Sequence, residues 1–349
     1  MARRIHTARL RPFVRRYGLH LRHIQPCHSL YRRNAAFRAL TDEGVYVIKP
    51  FYRRKIRTNL TTKQQIVSIT AYIHKLQAQH YPHLPHWLVT ASGRYWVNQS
   101  GRPYYMMEWV EGGNLQHEDH YVQLGRALGT LHTICQAELP PMSPYTSRQI
   151  AFFQNQDRMF RRRLTMMRKR KGTAAWFREH GDQCNRLAEE AWRSIQRLET
   201  QQVLQDEIRF PALIHGDVTF PNVIIHSNSL YLIDWDQVRM DSTYYEIAKT
   251  LLNTTNFNPL LMGALLQGYE LVRPLAAAER ILIGSLFRLP VEAWAAARSA
   301  FNGQGSRLSR LLQNTWGKRL AAIQWLDNWG GQSGQPLLAC KYRLARSSL

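Results

Sequence analysis

The segment LIHGDVTFPNVIIHSNSLYLIDWDQ, residues 213–237, constrains the fold of this chain more than any other. It places Asp217 five residues before Asn222, then runs two short apolar stretches, VII and YLI, across an HSNS turn to Asp234. Three or four residues out and as many back return an antiparallel chain to its starting level, at about 3.3 Å per residue. The spacing therefore predicts a hairpin that carries Asp234 back beside Asn222.

With 349 residues, 44% of them hydrophobic, the chain can bury a large core and is long enough for two lobes. The formal charge of +23 creates a field that favours anionic partners, which concerns association rather than fold. That charge is concentrated: no carboxylate precedes Asp42, and DRMFRRRLTMMRKRKG occupies residues 157–172. Segments 1–38 and 158–171 are candidate docking surfaces for a polyanion. The plainer reading of Arg158, Arg161, Arg162, Arg163, Arg168, Lys169, Arg170 and Lys171 is a solvated helix with an apolar underside. Cys27, Cys135, Cys184 and Cys340 are scattered without a C-x-x-C pair, which predicts a reduced compartment and no structural zinc. No apolar run reaches about eighteen residues, and the basic N-terminus lacks the apolar core of a signal peptide. A cytoplasmic protein with no transmembrane segment is the expectation.

Residues 1–23, rich in arginine and without a clean period, read as a basic arm that is partly disordered. The N-terminal lobe is expected over 24–109. AAFRALTDEGVYVIK reads as a hairpin turning at Asp42-Glu43-Gly44. Ile66, Ile69, Ile73 and Leu76 lie at helical spacing over 61–80, and residues 87–110 supply two or three further strands. From 110 to 330 the pattern is helical apart from the embedded hairpin, and 331–349 is a tail. The fold class is α+β: a small antiparallel sheet in one lobe and a mainly helical second lobe.

Phosphoryl transfer asks for this arrangement of side chains. A carboxylate orients the acceptor hydroxyl, and oxygen ligands hold Mg²⁺ on the ATP phosphates; in kinases one ligand lies five residues after the base and another beyond the next hairpin. On these motifs, H-G-D-x-x-x-x-N followed by I-D-W-D, the chain resembles the aminoglycoside phosphotransferase and choline kinase-like branch of the protein-kinase-like fold. Its layout is most similar to the spore-coat CotS-type kinase-like proteins. The resemblance implies that Asp217 is the catalytic base, that Asn222 and Asp234 are the Mg²⁺ ligands, and that His215 supports the loop. YYEIAKTL matches a family segment with Glu246 where aspartate is usual. Lys49, at the end of VYVIKP, matches the lysine that clamps the α and β phosphates. In YYMMEWVEGGNL, Met107 would lie behind the adenine, with the Glu108 carbonyl and Val110 amide facing its edge.

Two expected parts are missing. CHSLYRRNAAFRAL, where a glycine-rich phosphate loop belongs, contains no glycine, leaving Arg32, Arg33 or Asn34 as donors. Residues 56–85 contain no carboxylate to pair with Lys49, and Gln64 or Gln65 is the nearest substitute. Asp236 reads equally as a metal or acceptor neighbour and as a surface residue. The reading is an ATP- and Mg²⁺-dependent phosphotransferase acting on a hydroxyl of a small polar molecule or glycan. The alternative is a weak or inactive kinase-like spore-coat component that binds polyanions or coat proteins.

Overall fold

The computed structural model describes residues 10–27, 35–51, 62–99, 101–134, 145–167, 175–302 and 306–331. Arg32, Arg33 and Asn34, the basic run 168–171 and residues 332–349 lie outside them. The elements begin with helix α1 (Leu10–Arg15), strands β1 (Leu21–Cys27), β2 (Ala36–Thr41) and β3 (Val45–Pro50), helix α2 (Thr62–Ala78), and strands β4 (Trp96–Gln99) and β5 (Arg102–Glu108). Helices α3 (Glu118–Thr133), α4 (Tyr145–Met167), α5 (Ala175–Ile195) and α6 (Leu198–Arg209) follow. Strand β6 (Ala212–Ile214), a 3-10 turn (Phe220–Asn222) and strands β7 (Val223–His226), β8 (Ser229–Leu232) and β9 (Arg239–Asp241) come next. The last helices are α7 (Thr243–Thr254), α8 (Pro259–Glu270), α9 (Ala277–Arg288), α10 (Val291–Phe301) and α11 (Ser306–Gly331). The fold is α+β, as its sequence pattern predicts. No helix among the described residues is long and apolar enough to cross a membrane.

One compact unit joins the described residues up to Leu115 with Pro221–Arg239. Its antiparallel sheet runs β1-β2-β3-β5-β4, with β3 at the centre. The β2–β3 turn is closed at Thr41, whose Oγ1 accepts from the Glu43 and Gly44 amides at 3.2 Å and donates to the Gly44 carbonyl at 3.0 Å. Helix α2 buries Ile66, Tyr72, Ile73 and Leu76, with Tyr72 more deeply buried than Ile69.

The described part of the N-terminal arm is ordered core, which corrects the disordered reading. Leu10, Phe13, Val14 and Tyr17 join Phe37, Ile48, Tyr104 and Met106 in one apolar cluster. They stand at i, i+3, i+4 and i+7, a helical stripe that the surrounding arginines obscured. Arg11, Arg15 and Arg16 occupy the exposed side.

The β7–β8 hairpin also belongs to this unit, unlike the division at residue 110 expected from sequence. It pairs Val223 with Leu232 and His226 with Ser229. Ser227 and Asn228 both have positive φ, 45° and 66°, the signature of a type I′ turn. The Leu232 amide donates to the His83 carbonyl at 2.8 Å, and Gly113 exchanges two backbone hydrogen bonds with Ile225. Gly112 makes that approach possible. At its φ of +154° a Cβ would meet the Ile225 carbonyl oxygen at 2.3 Å, so the first glycine of EGGNL is what lets the hairpin dock.

The second unit comprises Gln116–Phe220 and the described residues from Met240 onward. Helix α4 turns Phe153, Asp157, Phe160, Leu164 and Met167 inward at spacings of three and four, leaving Arg158 and Arg162 exposed. Arg161 is engaged with Asp157 at 3.3 Å and Glu189 at 2.8 Å. The solvated helix with an apolar underside therefore accounts for the described part of the basic block.

Candidate active site

Lys49 lies near the end of β3, opposite Tyr105 of β5, and is only 7% exposed. A buried ammonium is costly unless paired. Its Nζ pairs with Asp234, 185 residues away in sequence, and lies 3.2 Å from Asp236 Oδ2. Burial alone would lower the lysine pKa, but Asp236 and Asp234 outweigh burial and hold it above its ordinary value. Burial pushes the Asp236 carboxyl up, with Lys49 pulling the other way. Asp236 is thus an inward-facing partner of Lys49 rather than a surface residue, its side chain 7% exposed. Sequence reasoning left this open because an I-D-W-D turn does not reveal which way its second carboxylate points.

The hairpin brings Asp234 and Asn222 close through the backbone. The Asn222 carbonyl accepts from the Ile233 amide at 2.9 Å, immediately before Asp234. Asp234 takes a φ of +69°, a region that aspartate tolerates better than branched residues. Trp235, fully buried, anchors the turn by donating from Nε1 to the Leu232 carbonyl at 2.6 Å. Met107 is buried on β5 opposite Val47, Glu108 is exposed at the strand end, and Val110 is half-buried beyond it.

In the second unit Asp217 follows Gly216, whose φ of +81° turns the chain after β6. The loop is held from helix α7. Glu246, 2% exposed, accepts the His215 amide at 3.1 Å and the Gly216 amide at 2.5 Å. His132 Nε2 donates to the same carboxylate at 2.9 Å, and its Nδ1 accepts from the Tyr269 hydroxyl at 2.9 Å. Burial alone would raise the Glu246 pKa, yet His132, His215 and the Gly216 amide bring it below its ordinary value. His132 is pushed down by burial, which suits a neutral ring. Fully buried His215 accepts the Asp217 amide on Nδ1 at 3.2 Å. Lys249, one turn after Glu246, donates to Asp217 Oδ1 and to the Gly216 carbonyl, both at 2.9 Å. Sequence reasoning missed Lys249 and His132. The i, i+3 spacing of Glu246 and Lys249 on one helix was the available signal for Lys249.

Helix α7 has a pH-sensitive anchor of its own. Glu207, 6% exposed, accepts from the Thr243 amide at 2.7 Å and the Thr243 hydroxyl at 3.0 Å at the N-terminus of the helix. Burial pushes its pKa up from 4.5 to about 7. Between those values the folded chain keeps a proton that the unfolded chain has released, so this contribution to stability declines as pH rises through the window. Glu207→Gln is expected to remove the decline. The variant's unfolding free energy in urea should gain on the parent's by up to about 3 kcal/mol between the two ends of the window. A difference that does not change with pH would reject the assignment.

The phosphotransferase enzyme family model matches residues 24–281, and the chain belongs to that family. Its fold is shared with an aminoglycoside phosphotransferase from Alicyclobacillus acidocaldarius, at 17% identity and a TM-score of 0.77, covering 95% of this chain and 97% of that one. A spectinomycin phosphotransferase solved with ADP and spectinomycin matches at 15% identity and a TM-score of 0.59, covering 93% and 95% of the two chains. A microcompartment-associated aminopropanol kinase matches at 16% identity and a TM-score of 0.58, covering 94% and 99%. No curated protein sequence matches the chain.

Proposed function

We propose that the protein is an ATP- and Mg²⁺-dependent phosphotransferase that phosphorylates a hydroxyl of a small molecule, with Asp217 as the base. The observation that carries this reading is the buried Lys49–Asp234 ion pair, which joins two motifs 185 residues apart. Family membership and solved relatives that bind adenine nucleotides support it.

The donor chemistry fits Mg²⁺. One ammonium, Lys49, faces two carboxylates, Asp234 and Asp236, and the excess negative charge invites a hard cation. Mg²⁺ characteristically takes one or two carboxylates and completes its shell with phosphate oxygens and water. Asn222 and Asp234 would hold it, and bound there it would supply neutralisation of phosphate charge. Lys49 fixes the nucleotide phosphates, and the adenine lies against Met107 with the Glu108 carbonyl and Val110 amide at its edge. The Asp217 carboxylate orients the acceptor hydroxyl and takes its proton as that oxygen bonds to the γ-phosphorus and the bond to the ADP oxygen breaks. Lys249 keeps the carboxylate in one orientation.

Thermal unfolding with Mg-ATP tests the nucleotide half of the reading. At a concentration about 100 times Kd, binding to the folded state alone adds about 2.7 kcal/mol. The parent chain is expected to show that gain, and Lys49→Ala to lose most of it. A flat response in the parent would favour the alternative, a kinase-like spore-coat component without turnover.

A further inference from the structure

The second unit contains a cavity of about 560 Å³, within the range of small-molecule sites. Its wall includes Phe220, Lys249, Leu252, Leu261, Glu292 and Arg319. Lys249 ties it to the chemistry, because the same ammonium bonds Asp217 at 2.9 Å. Phe220 lies three residues beyond that aspartate.

The electrostatics of the wall are informative. Among the described lining residues the charged groups are Lys249, Glu292 and Arg319. Each cation already faces a carboxylate, Lys249 with Asp217 at 2.9 Å and Arg319 with Glu292 at 3.4 Å. Among the described lining residues no carboxylate lacks a cation and could receive an incoming ammonium, and an unpaired charge moved from water into an apolar cavity is strongly disfavoured. Hydrogen-bonding capacity within the charge-balanced Arg319–Glu292 pair, in contrast, is left over. Arg319 is 1% exposed and commits Nη2 to the Phe287 and Leu289 carbonyls at 2.9 and 2.8 Å. Its Nε and Nη1, with Glu292 Oε2, are buried without a hydrogen bond. Phe257 and Phe287 pack against the guanidinium at 5.8 and 5.4 Å and hold it in place. Buried polar groups of this kind normally find partners.

We infer that this cavity receives the phosphate acceptor, and that the acceptor is an uncharged, hydroxylated molecule with an apolar body, not a polyamine. Its hydroxyl groups face the Arg319–Glu292 pair, while the apolar body lies against Leu252, Leu261 and Phe220. The inference rests on the reading of Asp217 as the base, since that role makes the cavity beside Lys249 the acceptor's place.

Isothermal titration calorimetry of the full chain with two probes tests it: octyl β-D-glucopyranoside below its micelle concentration, and the polycation kanamycin A. The glucoside is expected to bind saturably and kanamycin at least tenfold more weakly. Leu252→Trp, which fills the cavity from a half-buried position, should weaken glucoside binding at least tenfold, and Leu261→Trp provides the same test if the first variant does not fold. Absence of glucoside binding, tighter kanamycin binding, or glucoside binding indifferent to both fillings overturns the inference. Mg-ATP stabilisation, measured on the same preparation, separates the two layers. A chain stabilised by Mg-ATP that prefers kanamycin loses the acceptor class and keeps the phosphotransferase reading. A chain that binds the glucoside in the cavity without responding to Mg-ATP keeps the charge selectivity and loses the phosphotransferase.

Discussion

Asp217→Asn is expected to lower turnover by roughly 10²–10⁴-fold, the usual contribution of a positioned general base. Mg-ATP affinity should stay within about twofold, a change worth less than about 0.5 kcal/mol. The amide has the size of the carboxylate, its oxygen can still accept from Lys249, and the backbone bond to His215 Nδ1 does not involve the side chain. What the substitution removes is the capacity to take a proton. Steady-state turnover alongside calorimetric titration of nucleotide separates the two quantities. Turnover retained within tenfold would assign the base elsewhere; loss of nucleotide binding would mean that the substitution disturbs the loop rather than the chemistry.

The second large effect is structural. Glu246→Ala deletes a buried carboxylate that accepts the His215 and Gly216 amides and His132 Nε2. Each of those neutral donors is then left buried without its acceptor, which typically costs about 1–3 kcal/mol apiece. The variant's urea midpoint should fall accordingly. The sign of the pH dependence follows from the lowered carboxyl pKa: the stabilisation is present above the unfolded value near 4.5 and is lost as pH falls through the folded one. Glu246→Ala should therefore show a weaker acid dependence than the parent below that value. A loss under about 1 kcal/mol would place the loop's anchor in another contact.

Much of this was legible in the sequence for a definite reason. Pairing two strands by a short turn is a local event with a period of two, so VII-HSNS-YLI announces the return of Asp234 to Asn222. The β2–β3 hairpin and the helix over 62–78 are equally local patterns. Leu10, Phe13, Val14 and Tyr17 carried an equally local helical signal, and dense arginine masked it, since mean polarity says little about which side of a helix the charges occupy. The Asp236 ambiguity was of another kind, because the direction of a side chain at a tight turn depends on what packs beneath it.

By itself the sequence determined the class of fold, the family and the order of the chemistry-bearing residues along the chain. These follow from backbone periodicity and from spacings of a few residues. Only the tertiary structure decided that Lys49 is neutralised by Asp234 and Asp236, and that Glu246 and Lys249 hold the Asp217 loop from helix α7. Those partners lie 30 to 187 residues apart along the chain. The energy of such a pair depends on shared burial, and burial is a property of the packed chain rather than of any segment of it.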